Sequence, residues 1–210
     1  MNKIKPTIGI IGAGRLGAAV GKQALKAGYA VTIANSQNPE SLTLILNILL
    51  PGAKAAKVKD LIFRSDIIIL AIPLNKYKTL LPDLFANKIV IDAMNYWPIT
   101  EGSIPKFENK TISSSEYIQS YFSKAKVIKT LNHIAYNELE EHSLPPGKNN
   151  RRAIVIAGND PQTKSQITEF INDLGFDPVD LGSLPEGRRF QPNTDLFNTR
   201  FTAEDITTST

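Results

Sequence analysis

The 210-residue chain contains no cysteine. That absence excludes disulfides, thiolate nucleophiles, iron–sulfur clusters and Cys-based zinc sites. Histidine is scarce as well: His133 and His142 are the only two, so no protein-built metal site is expected. No Lys/Arg run of the kind that tracks a nucleic-acid backbone occurs, and the net charge of +4 is mild. A nucleic-acid partner is therefore not expected. Long apolar runs are missing too. The longest, Ile67 to Pro73, is far too short to span a bilayer, and Met1-Asn-Lys-Ile-Lys-Pro6 is too short and polar for a signal peptide. The expectation is a cytoplasmic protein without a membrane partner.

What is present begins at residues 7–17, Thr-Ile-Gly-Ile-Ile-Gly-Ala-Gly-Arg-Leu-Gly. An apolar strand runs into Gly12-Ala13-Gly14-Arg15-Leu16-Gly17, and a helical pattern follows at once. In a dinucleotide site the first glycine permits the tight turn, the second lets backbone approach a pyrophosphate, and the third lets the helix pack close on the strand. The first N–H groups of that helix are unpaired and lie at the positive dipole end, where they bind a diphosphate. Residues 12–17 are thus candidate cofactor ligands.

Strands and helices alternate from end to end. The pattern predicts strands at Thr7–Ile11, Ala30–Ala34, Ala53–Lys57, Asp66–Ile72, Lys88–Asp92, Val127–Leu131, Ala153–Ala157 and Phe176–Leu181. The last is expected at an edge, because Pro178 interrupts it. Helices are expected at 15–27, Pro39–Leu50, Val58–Arg64, Tyr77–Phe85, from the capping box Ser113-Ser-Ser-Glu116 to Ser123, and from Asp160-Pro161 to Gly175. Segments 98–112 and 143–152 read as surface loops. The tail from Ser183 has weak periodicity and is expected to be irregular or partly disordered. The fold class is α/β, one doubly wound and mostly parallel sheet of about eight strands (Rossmann type), forming a single domain over 1–210. In such a sheet the ligand lies outside the carboxyl ends of the strands. That rule selects Gly12–Gly17, Ala34–Gln37, Ala71–Leu74, Ala93–Trp97 and Leu131–Ala135.

The second strand ends Ala34-Asn35-Ser36-Gln37, with no carboxylate to accept from a ribose 2′-OH. A carboxylate would repel a 2′-phosphate, whereas Asn35 and Ser36 donate hydrogen bonds to one, and Arg15 can supply positive charge. NADP is the expected cofactor. Asn35-Ser36 also suits a turn capping the next helix, and the two roles can coexist.

The residues for acid–base chemistry are few. There is no Tyr-x-x-x-Lys pair, and the second half continues the sheet instead of adding a catalytic domain. His133 lies just past a strand end, near the expected nicotinamide, but a lone His there is more often structural. Carbonyl reduction needs a proton donor, whereas hydride transfer to a flavin-like ring needs mainly stacking and orientation. Tyr96 and Trp97 either stack on such a ring or pack their loop; Met94 reads as core. The pairs Arg151-Arg152 and Arg188-Arg189 read as solvated charge, with an anionic acceptor pocket as the alternative.

Taken together, the segments Ile-Gly-Ala-Gly-Arg-Leu-Gly17, Ala34-Asn-Ser36, Ala71-Ile-Pro73, Asp92-Ala-Met-Asn-Tyr-Trp97, Val127-Ile-Lys-Thr-Leu-Asn-His133 and Ala157-Gly158 resemble the NADP oxidoreductase family typified by deazaflavin (coenzyme F-420)-dependent NADP reductase. Its fold recurs in the NADPH-binding domain of six-transmembrane metalloreductases. The resemblance implies NADP across the strand ends, with Ala71, Ile72, Pro73 and Asn95 beside the ribose–nicotinamide half and Asn132 near the nicotinamide. Two departures stand out. Gln37 takes a place where Arg is common, and residues from Leu184 lack the apolar helix of the deazaflavin reductase. The expected activity is hydride transfer between NADP(H) and a flavin, deazaflavin or flavin-bound acceptor, with a homodimer as the assembly. The rivals are a non-catalytic NADP-binding redox sensor and an NADPH-dependent reductase of a small carbonyl or imine, using His133 as donor.

Overall fold

A computed structural model describes residues 4–108 and 111–208. Residues 1–3 of the N-terminal stretch and residues 109 and 110 of the 98–112 loop lie outside the described residues. The strands are β1 (Ile8–Ile11), β2 (Val31–Ala34), β3 (Lys54–Ala55), β4 (Ile67–Leu70), β5 (Ile89–Asp92), β6 (Lys126–Lys129), β7 (Ala153–Gly158) and β8 (Asp177–Asp180). They form one sheet in the order β3-β2-β1-β4-β5-β6-β7-β8. All pairings are parallel except β6 with β7, where Ile128 lies opposite Gly158 and Lys129 opposite Ala157. The doubly wound sheet expected from the alternation is what forms, with element ends shifted by a few residues.

The helices are α1 (Arg15–Lys26), α2 (Pro39–Leu49), α3 (Val58–Arg64), α4 (Pro98–Glu101), α5 (Pro105–Glu108), α6 (Ser114–Tyr121), α7 (Glu138–Glu141), α8 (Pro161–Asp173) and α9 (Ala203–Thr208). Both faces of the sheet are covered. Ile67 and Ile69 of β4 join a core with α1, α2 and α8, while Ile68 and Leu70 join a second core with α3 and α6. A strand buried on both faces has no polar alternation, which is why β4 reads as one apolar run. The two strongest N-terminal signals hold. Ser113 and Glu116 form a capping box on α6, and Asp160 caps α8 with Pro161 in its first turn.

Two expectations fail. The helix expected over Tyr77–Phe85 is two 3₁₀ turns, Leu74–Thr79 and Pro82–Phe85. Pro82 lacks the N–H that a continuous helix would need there, so the chain restarts at it. The tail from Ser183 is also more ordered than its pattern implies. A 3₁₀ turn at Leu184–Phe190 and helix α9 bury Leu184, Phe190 and Ile206. Phe201 accepts a hydrogen bond from Ala153 N–H at the start of β7, which ties the tail to the sheet.

Candidate functional site

β1, β2, β4, β5 and β6 run parallel, so their carboxyl ends lie together at one edge of the sheet, the place of the expected crevice. At its centre the three glycines do different things. Gly12 has φ +118°, and a Cβ there would collide with the Ala71 carbonyl in the loop after β4. A Cβ on Gly17 would collide with the Gly12 carbonyl, so the helix start lies directly on the turn. Gly14 differs: its φ of −76° suits any residue, and a Cβ on it would meet nothing within 4 Å. The protein's own packing does not need glycine at 14, so the space above it suits a close-lying ligand. Gly14 is the N-cap of α1 without a side-chain cap, no acid occupies the first turn, and the first helical bond is Ala18 N–H to Gly14 O. The N–H groups before it, on Arg15, Leu16 and Gly17, have no intrahelical acceptor, the usual condition for diphosphate binding.

In the loop after β2, Asn35 Oδ1 accepts from Gln37 N–H at 2.9 Å. That turn occupies the amide oxygen and leaves the two amide N–H donors for a ligand. The cap of α2 is Asn38, which accepts from Glu40 N–H, so neither Asn35 nor Ser36 is used as the helix cap. Ser36 is exposed. Arg15 does not lean toward this loop. Its guanidinium lies 5.4 Å from the centre of the Tyr136 ring and 3.4 Å from the Tyr136 hydroxyl, on the β6 side of α1. Ala71 and Ile72 are half-buried, and Pro73 is exposed at the start of the 3₁₀ turn.

At the other end, Asn95 and Asn132 are joined reciprocally. Asn95 Nδ2 donates to Asn132 O at 2.7 Å, and Asn132 Nδ2 donates to Asn95 Oδ1 at 3.1 Å and Phe190 O at 2.8 Å. With both its N–H groups used, Asn132 has its Oδ1 buried and without a partner among the described residues. The preceding residue, Leu131, is fully buried at φ +65°. A bulky side chain in that region is strained and persists only where its surroundings impose it. His133 is not at the crevice surface. It is 3 % exposed, Nε2 accepts from Val155 N–H at 3.2 Å, and its ring packs edge-on against Phe190. Burial, with the charges of Arg152 and Lys129 adding to it, pushes its pKa down to about 3. It is a neutral core histidine.

Tyr96 is tied into its own loop: Ile104 N–H donates to its hydroxyl, which in turn donates to Gly102 O. Trp97 is 45 % exposed and meets Phe197 edge-on at 5.8 Å. A groove of about 250 Å³ opens beside them, walled by Tyr96, Pro98, Phe107, Gln191 and Pro192. Met94 is core, as expected.

One of the arginine pairs is a correction. Arg151 and Arg152 are both buried, neither solvated nor lining a pocket. Arg151 donates to Asp177, Asn172 and Phe176, and Arg152 to Glu138 and Thr199. They fasten the ends of β7 and β8, α7 and the tail, and the partners are too distant in sequence to have been foreseen. Arg188 and Arg189 are partly exposed near Glu186. Arg189 lines a cavity of about 550 Å³ that also holds Asp195 and Asp205, a poor match to an anion.

Sequence reasoning passed over a buried ion pair below the Asn95–Asn132 pair, Lys129 with Asp92. The signal was visible: β5 reads Ile-Val-Ile-Asp and β6 Lys-Val-Ile-Lys, so a charged residue closes each apolar run. Among the described residues, no group of three or more His, Cys, Asp or Glu could hold a metal ion, and no helix is long and apolar enough to cross a membrane.

Residues 7–96 match the family described as NADP oxidoreductase, coenzyme F420-dependent. Metalloreductase STEAP2 of Homo sapiens is 29 % identical over 189 residues, which is 89 % of this chain and 35 % of that protein. The chain spans about a third of the length of the curated metalloreductases it matches. A hypothetical protein of Sinorhizobium meliloti superposes with TM-score 0.81 at 28 % identity, covering 94 % of this chain and 95 % of that one. A protein of Arthrobacter sp. FB24 assigned as an F420-dependent NADP-reductase superposes with TM-score 0.72 at 25 % identity, covering 87 % of each chain.

Proposed function

We propose that the chain is an NADP-dependent oxidoreductase, as the match of residues 7–96 to the NADP oxidoreductase family supports, and that it transfers hydride between NADP(H) and a flavin, deazaflavin or flavin-bound acceptor. The diphosphate lies over Gly14 and the first N–H groups of α1. Asn35 and Ser36 donate to the 2′-phosphate, while Arg15, in the first turn of α1 and turned toward Tyr136, adds positive charge at the diphosphate end and not at that loop. The nicotinamide lies at Asn95 and Asn132, where the unpartnered Asn132 Oδ1 accepts from its carboxamide. The cofactor supplies the hydride; the protein orients its ring and excludes water.

One observation carries the choice of acceptor. The only histidine near this end is buried and neutral, with its pKa at about 3. Asn95 and Asn132 orient but do not donate protons at neutral pH. A carbonyl acceptor needs a proton with its hydride, whereas a flavin ring needs a flat apolar wall. The groove at Tyr96 offers aromatic and apolar surface from Pro98, Phe107 and Pro192, with Glu108, Ser114, Gln191 and Asn193 as its polar lining. The test is NADPH oxidation with FMN, a 5-deazaflavin, and small carbonyls and imines in parallel. Turnover with the flavin-type rings alone is expected. Flavin-independent turnover of a carbonyl, or NADPH binding with no turnover of any ring, overturns the reading.

A further inference from the structure

Asp92 ends β5 and Lys129 ends β6, on adjacent strands, and both side chains are fully buried. Lys129 Nζ lies 3.4 Å from Asp92 Oδ2 and donates to the Met94 carbonyl at 2.6 Å. Asp92 Oδ1 accepts from Met94 N–H at 3.0 Å, and Asp92 Oδ2 accepts from Ser115 Oγ of α6 at 2.5 Å. The pair therefore grips residue 94 by both its backbone groups. Above Lys129 lies Gly187 of the tail's 3₁₀ turn, where an added Cβ would come within 3.3 Å of the lysine stem.

Burying two charges costs more than the attraction between them usually returns, so such a pair is poor evidence of stabilisation. This one is placed where geometry matters. Asn95 follows the gripped residue directly, and Asn132 stands three residues beyond Lys129. Charges at the two strand ends thus hold the backbone that carries the amide pair.

We propose that Lys129 and Asp92 are positioning residues: they fix the Met94 peptide, and through it the Asn95–Asn132 pair that orients the nicotinamide. The proposal rests on the placement of the nicotinamide at that pair. It separates two halves of cofactor binding, since the adenine half is held at Gly14, Asn35 and Ser36, on other strands.

Calorimetry on the full chain with NADPH and with 2′,5′-ADP, which lacks the nicotinamide, reads the two halves separately. Lys129→Met should weaken NADPH about tenfold and 2′,5′-ADP less than twofold. Because the effect runs through Asn95, Lys129→Met/Asn95→Ala should bind NADPH no worse than Asn95→Ala alone. Fluorescence anisotropy of bound NADPH should fall in Lys129→Met as its nicotinamide loosens. Asp92→Asn, which keeps an acceptor for Met94 N–H but loses the charge, gives the same pattern more mildly and stands in if Lys129→Met does not fold. Parallel losses for both ligands, strictly additive losses, or unchanged NADPH affinity overturns the proposal. If Asn95→Ala leaves NADPH affinity and anisotropy as in wild type, the placement of the nicotinamide fails first, and the positioning role with it.

Discussion

At the scale of single residues, Gly14 and His133 make opposite statements. Gly14 has ordinary backbone angles and empty space above it, so a larger residue there should harm binding and not folding. Gly14→Val is expected to keep the wild-type circular dichroism and melting temperature while losing NADPH affinity at least a hundredfold by calorimetry, about 2.7 kcal/mol. A folded variant that binds as wild type does would remove the diphosphate from this turn. His133 matters for folding. Its folded pKa of about 3 lies below the usual value near 6.5, so the native state favours the neutral ring. The stability this represents is complete above pH 6.5 and is lost as pH falls toward 3, at about 1.4 kcal/mol per pH unit. Between pH 6 and 4.5, above most carboxylate titrations, urea unfolding should show that slope in wild type and a shallower one in His133→Gln. Equal slopes would mean that the ring is charged in the fold.

Among the elements, legibility followed how local the determinants are. The strand–turn–helix at 8–26 was readable because Gly17 packs on Gly12 within the motif, although Gly12 itself is set against Ala71 from the loop after β4. The capping box on α6 and Asp160-Pro161 on α8 were readable because a cap acts within three residues. The split of 77–85 turned on Pro82, which outweighed the spacing of Tyr77, Leu80, Leu81, Leu84 and Phe85. The tail was opaque for another reason. Leu184, Phe190 and Ile206 are separated by polar stretches without helical or strand period, and each finds its apolar partner on an element more than twenty residues away in sequence. In the site, the strand-end rule selected the glycine turn and the segments 93–97 and 131–135, and the resemblance named Asn95 and Asn132 within them; the charged ends of β5 and β6 could be read, but their grip on Met94 could not, since it depends on strand order. The ordered tail carries its own expectation. Phe190 is fully buried against His133, and its carbonyl accepts from Asn132. Phe190→Ala should lower the unfolding free energy by about 3–5 kcal/mol and weaken NADPH more than 2′,5′-ADP. A loss below about 1 kcal/mol in urea titration would show a tail that merely rests on the sheet.

The whole molecule joins the strand-end edge proposed to bind NADP to a tail that folds back beside one end of it. In that proposal the ends of β1, β2 and β4 take the diphosphate and adenine side. β5 and β6 present the amide pair, and the tail from Ser183 supplies Gln191, Pro192 and Asn193 to the groove at Tyr96 and sets Phe197 against Trp97. With the groove lined in part by aromatic and apolar residues and His133 neutral, the proposed reaction is direct hydride transfer from NADPH to a flat ring in that groove. The most direct measurement uses NADPH deuterated at C4, separately on each face, with a 5-deazaflavin acceptor that keeps the transferred hydrogen on carbon. Mass spectrometry of the reduced deazaflavin should find the deuterium transferred from one face only. No deuterium from either face, with NADPH oxidised or left intact, would contradict the account.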